Sequence, residues 1–209
     1  MEKFAFILHP LSLQDMEHLS LLMRYIPDPI IEACLKMKKP FKVSHITGIK
    51  SPYAEAEGWF IGCPLTAKQM VELPEEFVMD RIIESGKVAQ ELGAKIVGLG
   101  AFTSIVGDAG ITVAKNLDIA VTSGNSYTVA TAIQGTKQAA RMMGKDLKEC
   151  RAVVVGATGS IGAASVRLLA KEVKHITLVA RHMGPLEELA QELIEQNHCE
   201  VAVSQDIRT

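Results

Sequence analysis

The stretch Arg151-Ala-Val-Val-Val-Gly156-Ala157-Thr158-Gly159-Ser160-Ile161-Gly162 constrains this chain more than any other. An apolar run of strand character feeds a glycine-rich turn, and the turn opens a small-residue helix expected to reach Glu172. A strand that enters a helix through so tight a turn begins a parallel strand–helix–strand unit. Backbone N–H groups of such a turn, with the positive end of the helix behind them, can approach a pyrophosphate. Gly159 permits the close backbone approach, and Gly162 lets the helix pack tightly on the strand. Against the pattern G-x-G-x-x-G, Ala157 stands at the first glycine position and Gly156 one place earlier, so the match is a variant. The competing reading is a tight turn with no ligand.

The next strand, His175 to Ala180, bears on cofactor choice. A site for NAD usually places Asp or Glu about 20 residues beyond the first glycines, against the ribose 2′-hydroxyl. Here the strand runs into Arg181 and His182, and no acid follows until Glu187. A carboxylate would repel a 2′-phosphate, whereas a guanidinium holds one through paired charge-assisted hydrogen bonds. The pattern favours NADP (NADPH), with Arg181 as an ordinary surface arginine the alternative.

The remainder reads as alternating strands and helices. Strands are expected at 4–8, 42–49, 58–62, 95–99, 118–122 and 200–203. Helices are expected from Ser12 to about Tyr25, from Asp28 to before Pro40, and over 75–92, 125–143 and 185–196. The fold class is therefore α/β: an N-terminal α/β domain over 1–144, expected on the substrate side, followed by a Rossmann NAD(P)-binding domain with a parallel sheet over 145–209. Helix 125–143 would connect the two, and the charged stretch after Gly144 marks the boundary. About 60 residues supply three strands, where the doubly wound fold uses six. The second domain is thus expected to be the first half of a longer one.

Composition narrows the function classes. The 209 residues carry 22 basic and 24 acidic side chains, a formal charge of −2, which offers no field for nucleic acid or an anionic membrane. One Trp and three Tyr give little surface for base stacking. No apolar run is long enough for a transmembrane segment, and the run ending at His9-Pro10 is too short for a signal peptide, so the expected location is cytoplasmic. Cys34, Cys63, Cys150 and Cys199 are scattered and the six histidines show no ligand spacing, so no metal site is expected.

Two loops of the first domain follow buried strands, where open α/β sheets bind ligands. The first holds Phe102, Thr103 and Ser104; the second holds Gly124, Asn125 and Thr128. Ser104, Asn125 and Thr128 can donate hydrogen bonds to a carbonyl or to a nicotinamide amide, while Thr103 and Asn125 could equally be helix N-caps. Cys63 sits at a strand end with no histidine close in sequence, so a buried thiol competes with a nucleophile and the catalytic residue stays unknown.

Taken together, Gly100-Ala-Phe102-Thr-Ser104-Ile, Thr122-Ser-Gly124-Asn125, Val154-Val-Gly156-Ala-Thr-Gly159-Ser-Ile-Gly162, Leu178-Val-Ala-Arg181 and His9-x-x-Ser12-Leu stand in one order across essentially the whole chain. In this the sequence resembles the aldehyde-forming long-chain acyl-acyl-carrier-protein reductases of cyanobacteria and their bacterial relatives. The resemblance implies NADPH-dependent reduction of a fatty acyl thioester to an aldehyde, with an acyl carrier protein as partner and a cysteine acylated on the way. That cysteine lies well downstream of the nucleotide loop in the family, and none of the four here matches it. The 209 residues taken alone are therefore not expected to complete the reaction. Lys36, Lys38, Lys39 and Lys42 would, on this reading, steer an acidic carrier; a solvated helix end is the plainer account of them. Formation of a homo-oligomer is left open.

The nearest alternative is a shikimate/quinate or amino-acid dehydrogenase of similar layout. Shikimate dehydrogenases carry an Asn-Thr-Asp motif and a lysine after Pro-His; here the corresponding stretch is Asn125-Ser126-Tyr127, and no Pro-His-Lys occurs. No acid/base pair for a hydroxyl proton is then evident. A non-catalytic NADP-binding module is the third reading, distinguished by binding without turnover.

Overall fold

The computed structural model describes residues 1–17, 25–196 and 199–206. It divides into two compact units, Met1–Gly124 and Asn125–Thr209. In the first, five strands form one sheet: β1 (Glu2–Leu8), β2 (Phe41–Lys50), β3 (Glu55–Gly62), β4 (Ile96–Leu99) and β5 (Ala120–Thr122). Their order is β2-β3-β1-β4-β5. β1 pairs in parallel with β3 and β4, and β4 with β5, while β2 pairs antiparallel with β3 through the turn that holds Pro52. A parallel neighbour needs a crossover, and the helices supply it: α2 (Asp28–Met37), α3 (Ala67–Glu72), α4 (Glu75–Glu91) and α5 (Ile111–Lys115). The core forms where Val78, Ile82 and Ala89 of α4 cover Ile7, Ile61 and Val97 of the sheet, all of them buried.

The expected helix from Ser12 begins as α1 (Gln14–Glu17), and its continuation over 18–24 lies outside the described residues. Its start behaves as a capping box does, with Asp15 Oδ2 accepting from the N–H of Ser12 at 3.0 Å and of Leu11 at 2.8 Å. Two short helices were not legible. α3 opens with a full capping box between Thr66 and Gln69, but its six residues are too few for periodicity to register. α5 is shorter still, and begins after Gly110 rather than after a polar cap.

The second unit contains α6 (Asn125–Met142), β6 (Arg151–Val155), α7 (Ser160–Leu169), β7 (His175–Val179), α8 (Met183–Glu195) and β8 (Glu200–Ser204). Its three strands form a parallel sheet in the order β6-β7-β8, the layout of a Rossmann half. The division falls at Gly124/Asn125 and not at 144/145, because α6 is no free connector. Val129 and Ile133 on its buried side belong to the same apolar cluster as Val166 and Leu169 of α7, and Lys137 pairs with Glu172. Two of the helices end differently from the sequence reading: α7 stops at Leu169, short of Glu172, and α8 begins at Met183, ahead of Pro185. Among the described residues no helix is long and apolar enough to cross a membrane.

Candidate dinucleotide-binding site

The glycine turn of the second unit is fixed by its own backbone hydrogen bonds. Gly156 follows β6 with φ of +77°, a conformation that favours glycine, and folds the chain back so that its carbonyl accepts from Gly159 N–H at 3.0 Å. The N–H groups of Gly156 and Ala157 both donate to Val179 O of β7, at 2.8 and 3.1 Å, which anchors the turn to the neighbouring strand. Ala157 is fully buried and serves as packing, so the first-glycine position holds an alanine without loss of the turn. Gly162 is required by space: a Cβ there would lie 2.1 Å from Gly156 O and 2.8 Å from Gly156 C. The helix thus begins hard against the turn, with Gly159 as its N-cap. The first-turn N–H groups of Ser160, Ile161 and Gly162 have no partner within a helix, which makes this end receptive to an anion.

An open cleft of about 670 Å³ runs from this turn along the carboxyl ends of β6, β7 and β8. Gly156, Thr158 and Gly159 of the turn line it, as do Arg181 and His182 after β7 and Gln205 and Asp206 after β8. Arg181 and His182 are exposed, and the carbonyl of Arg181 accepts from Gln205 Nε2 at 2.8 Å. Asp206 escaped the sequence reading, which searched for an acid along the chain from β7. Folding supplies one from the next strand instead: Val179 pairs with Ser204, so the residues after each strand end are neighbours. That parallel pairing is the signal that could have found it.

Of the first-domain residues, Asn125 comes to this turn, its Nδ2 donating to Ser160 Oγ at 2.8 Å. Asn125 opens α6 and Thr128 stands exposed one turn along it, so both belong to the second unit. Gly124 closes the first, its N–H donating to Thr122 Oγ1 at 3.1 Å.

Phe102, Thr103 and Ser104 form a 3-10 turn at the end of β4. Thr103 is buried, and its hydroxyl donates to Gly100 O at 2.8 Å; Ser104 Oγ donates to Ala101 O at 2.7 Å. Both hydroxyl protons therefore hold the turn. Ala101 carries a positive φ of +47°, a strain that a non-glycine residue tolerates only where its surroundings fix it. What fixes it is His9. The N–H of Phe102 donates to His9 Nε2 at 3.1 Å, and His9 Nδ1 lies 3.0 Å from Pro10 O. Nε2 must be the acceptor, so the proton sits on Nδ1 and points at Pro10 O. The sequence motif contained His9, yet nothing in sequence tied it to a loop 93 residues away.

Cys63 is fully buried, and desolvation raises its thiol from about 9 to about 11, against the lowering effects of Ser85 and Arg81. A nucleophilic cysteine needs the reverse, so Cys63 is a core thiol.

No family model matches the chain. It is similar to the aminotransferase PigE of Serratia sp., 32% identical over 167 residues, which are 79% of this chain and 19% of that protein. It is also similar to the long-chain acyl-[acyl-carrier-protein] reductase of Synechococcus elongatus, 31% identical over 129 residues, 54% of this chain and 36% of that protein. The chain thus matches only about a fifth and about a third of the lengths of these curated relatives. Among solved structures, L-tryptophan dehydrogenase from Nostoc punctiforme aligns over 99% of this chain and 53% of its own, with 16% identity and a TM-score of 0.42, too distant to bear on function.

Proposed function

We propose that this chain is the cofactor-binding part of an NADPH-dependent oxidoreductase that reduces a fatty acyl thioester to an aldehyde. The observation that carries the cofactor half is the fit of the second unit to a dinucleotide. Gly162 lets α7 start hard against the turn where a Cβ would clash with the Gly156 backbone, the first-turn N–H groups of α7 have no partner within a helix, and Arg181 lines the same cleft as the turn. In this reading the N–H groups of Ser160, Ile161 and Gly162 bind the pyrophosphate, and Arg181, with His182 beside it, holds the 2′-phosphate. Asn125 braces Ser160 at the mouth of the turn. The bound cofactor supplies hydride; these residues orient it. The acyl thioester half rests on the similarity to the Synechococcus elongatus reductase. An acyl carrier protein is the partner it proposes. The nucleophile is not assigned to any of the four cysteines here.

The test takes the full-length protein with NADPH and a long-chain acyl thioester and assays for aldehyde. Aldehyde formed with NADPH and not with NADH supports the proposal and the role of Arg181. Tight NADPH binding without aldehyde removes the thioester half and leaves a binding module or a small-substrate dehydrogenase. No NADPH binding removes the whole reading.

A further inference from the structure

A second cavity lies in the first unit, at the carboxyl ends of β1 and β3, with a volume of about 220 Å³. Leu8, Leu35, Phe41, Val43, Cys63 and Pro64 give it a nearly unbroken apolar wall. Two polar side chains also reach it, and both are engaged elsewhere. His9 accepts from Phe102 N–H on one nitrogen and faces Pro10 O with the other, and Asp15 Oδ2 caps α1. Cys63 is held as a neutral thiol beside Ser85. The wall therefore offers little to a polar ligand and favours one that gains by leaving water.

The cavity opens to solvent past Leu8 and Val43, which are 40% and 53% exposed, while Leu35 and Cys63 form its closed end at 5% and 0%. Gly62 keeps one side bare. It pairs directly with Phe41 across β2 and β3, and a Cβ on it would come within 3.0 Å of Val43 Cγ2 and 3.1 Å of Phe41 Cζ. The Lys38 ammonium sits 4.0 Å from the centre of the Phe41 ring, so the wall carries one positive charge beside it.

We infer that this cavity receives the aliphatic chain of an acyl thioester whose anionic carrier group stays outside, near Lys38. The inference rests on the acyl thioester reading above and deepens it, by placing the chain in a cavity of the first unit whose wall holds none of the sequence-predicted site residues. A largely apolar cavity with the Lys38 cation over one wall residue, and with its lining carboxylate Asp15 tied to the Leu11 and Ser12 N–H groups, suits an aliphatic chain with an anionic head better than a polar metabolite or a nucleotide. A methylene takes about the space of a water molecule, roughly 30 Å³, so the cavity holds about seven.

The experiment measures calorimetric affinities of the full-length protein for acyl-4′-phosphopantetheines from butanoyl to dodecanoyl. Each added methylene is expected to tighten binding about fourfold until the cavity is full, after which affinity levels off. Val43→Trp adds bulk from a position that is 53% exposed, and is expected to move that plateau to shorter chains. NADPH affinity, read in the same preparations, is expected to be unchanged. A gain per methylene that continues through dodecanoyl, a plateau that Val43→Trp does not move, or no acyl binding at all would overturn the assignment. If NADPH does not bind but the plateau is present and moves, the cavity stands and the cofactor reading falls; the reverse pattern separates them the other way.

Discussion

Two loops end two buried parallel strands, and they use their hydrogen-bonding groups in opposite ways. In the turn after β6, the N–H groups of Gly156, Ala157 and Gly159 are taken up by Val179 O and Gly156 O, and it is the first turn of α7 whose N–H groups have no partner within a helix. The loop after β4 turns its groups inward. Thr103 and Ser104 donate to the carbonyls of Gly100 and Ala101, and Phe102 N–H is taken by His9. One loop leads into a helix start with N–H groups that the proposed cofactor would take, and the other is a strained turn, braced where its Phe102 N–H is held by a histidine just after β1. A polar, small-residue loop at the carboxyl end of a strand is thus not evidence of binding until its donors are accounted for.

The largest effect should come from crowding the glycine turn that the proposal gives to the cofactor. Gly162→Ala places a methyl against the backbone of Gly156, which cannot swing aside as a side chain would. Overpacking of this kind costs about 1–3 kcal/mol. A lowered thermal midpoint and a loss of NADPH affinity too large to titrate are expected together. Wild-type affinity in a Gly162→Ala variant would show that the turn does not touch the cofactor.

The brace should respond to a change that leaves NADPH binding alone. His9→Ala removes the acceptor of Phe102 N–H and strands a half-buried donor, which costs about 1–3 kcal/mol. Denaturant melts should show that loss. His9→Gln, which can still present an acceptor, should recover part of it. If both variants are as stable as the parent, His9 is not what holds Ala101 at its positive φ.

This contrast also explains how much could be read in advance. The strand–turn–helix unit was legible because it depends on glycine spacing, which is local: strand, turn and helix stand within twelve consecutive positions. The brace was not, because His9 and Phe102 are joined only by the parallel pairing of β1 with β4. The cavity was hidden for the same reason, its wall being drawn from β1, α2, β2 and the end of β3. The division at Gly124/Asn125 was misread because amphipathic spacing shows that α6 has an apolar side without showing what that side meets. Asp206 was missed for want of the β7–β8 register.

The cleft allows a finer test of cofactor choice, of smaller size. Arg181→Ala should weaken NADPH about tenfold or more, since a charge-assisted pair contributes about 1.5–3 kcal/mol, and should leave NADH nearly unaffected. Asp206→Asn should act in the other direction, because it removes a negative charge from the cleft that would hold the 2′-phosphate. Equal losses for NADPH and NADH in Arg181→Ala would make the arginine a general contact and not the selector.

The smallest effect concerns Cys63, and it depends on pH. Its thiol titrates near 11 in the folded protein against about 9 when unfolded, so the folded state binds the proton more tightly. The stability tied to the neutral thiol is complete below pH 9. It declines as the pH rises from there toward 11, because the unfolded chain loses its proton first. Cys63→Ser should therefore flatten the fall in stability over that window. In the parent, iodoacetamide at pH 8 should modify exposed Cys34 quickly and Cys63 slowly, at a rate that follows unfolding. Rapid alkylation of Cys63 in the native protein would mean that the thiol is reached through the neighbouring cavity, and occupancy of that cavity by a bound acyl chain should then protect it.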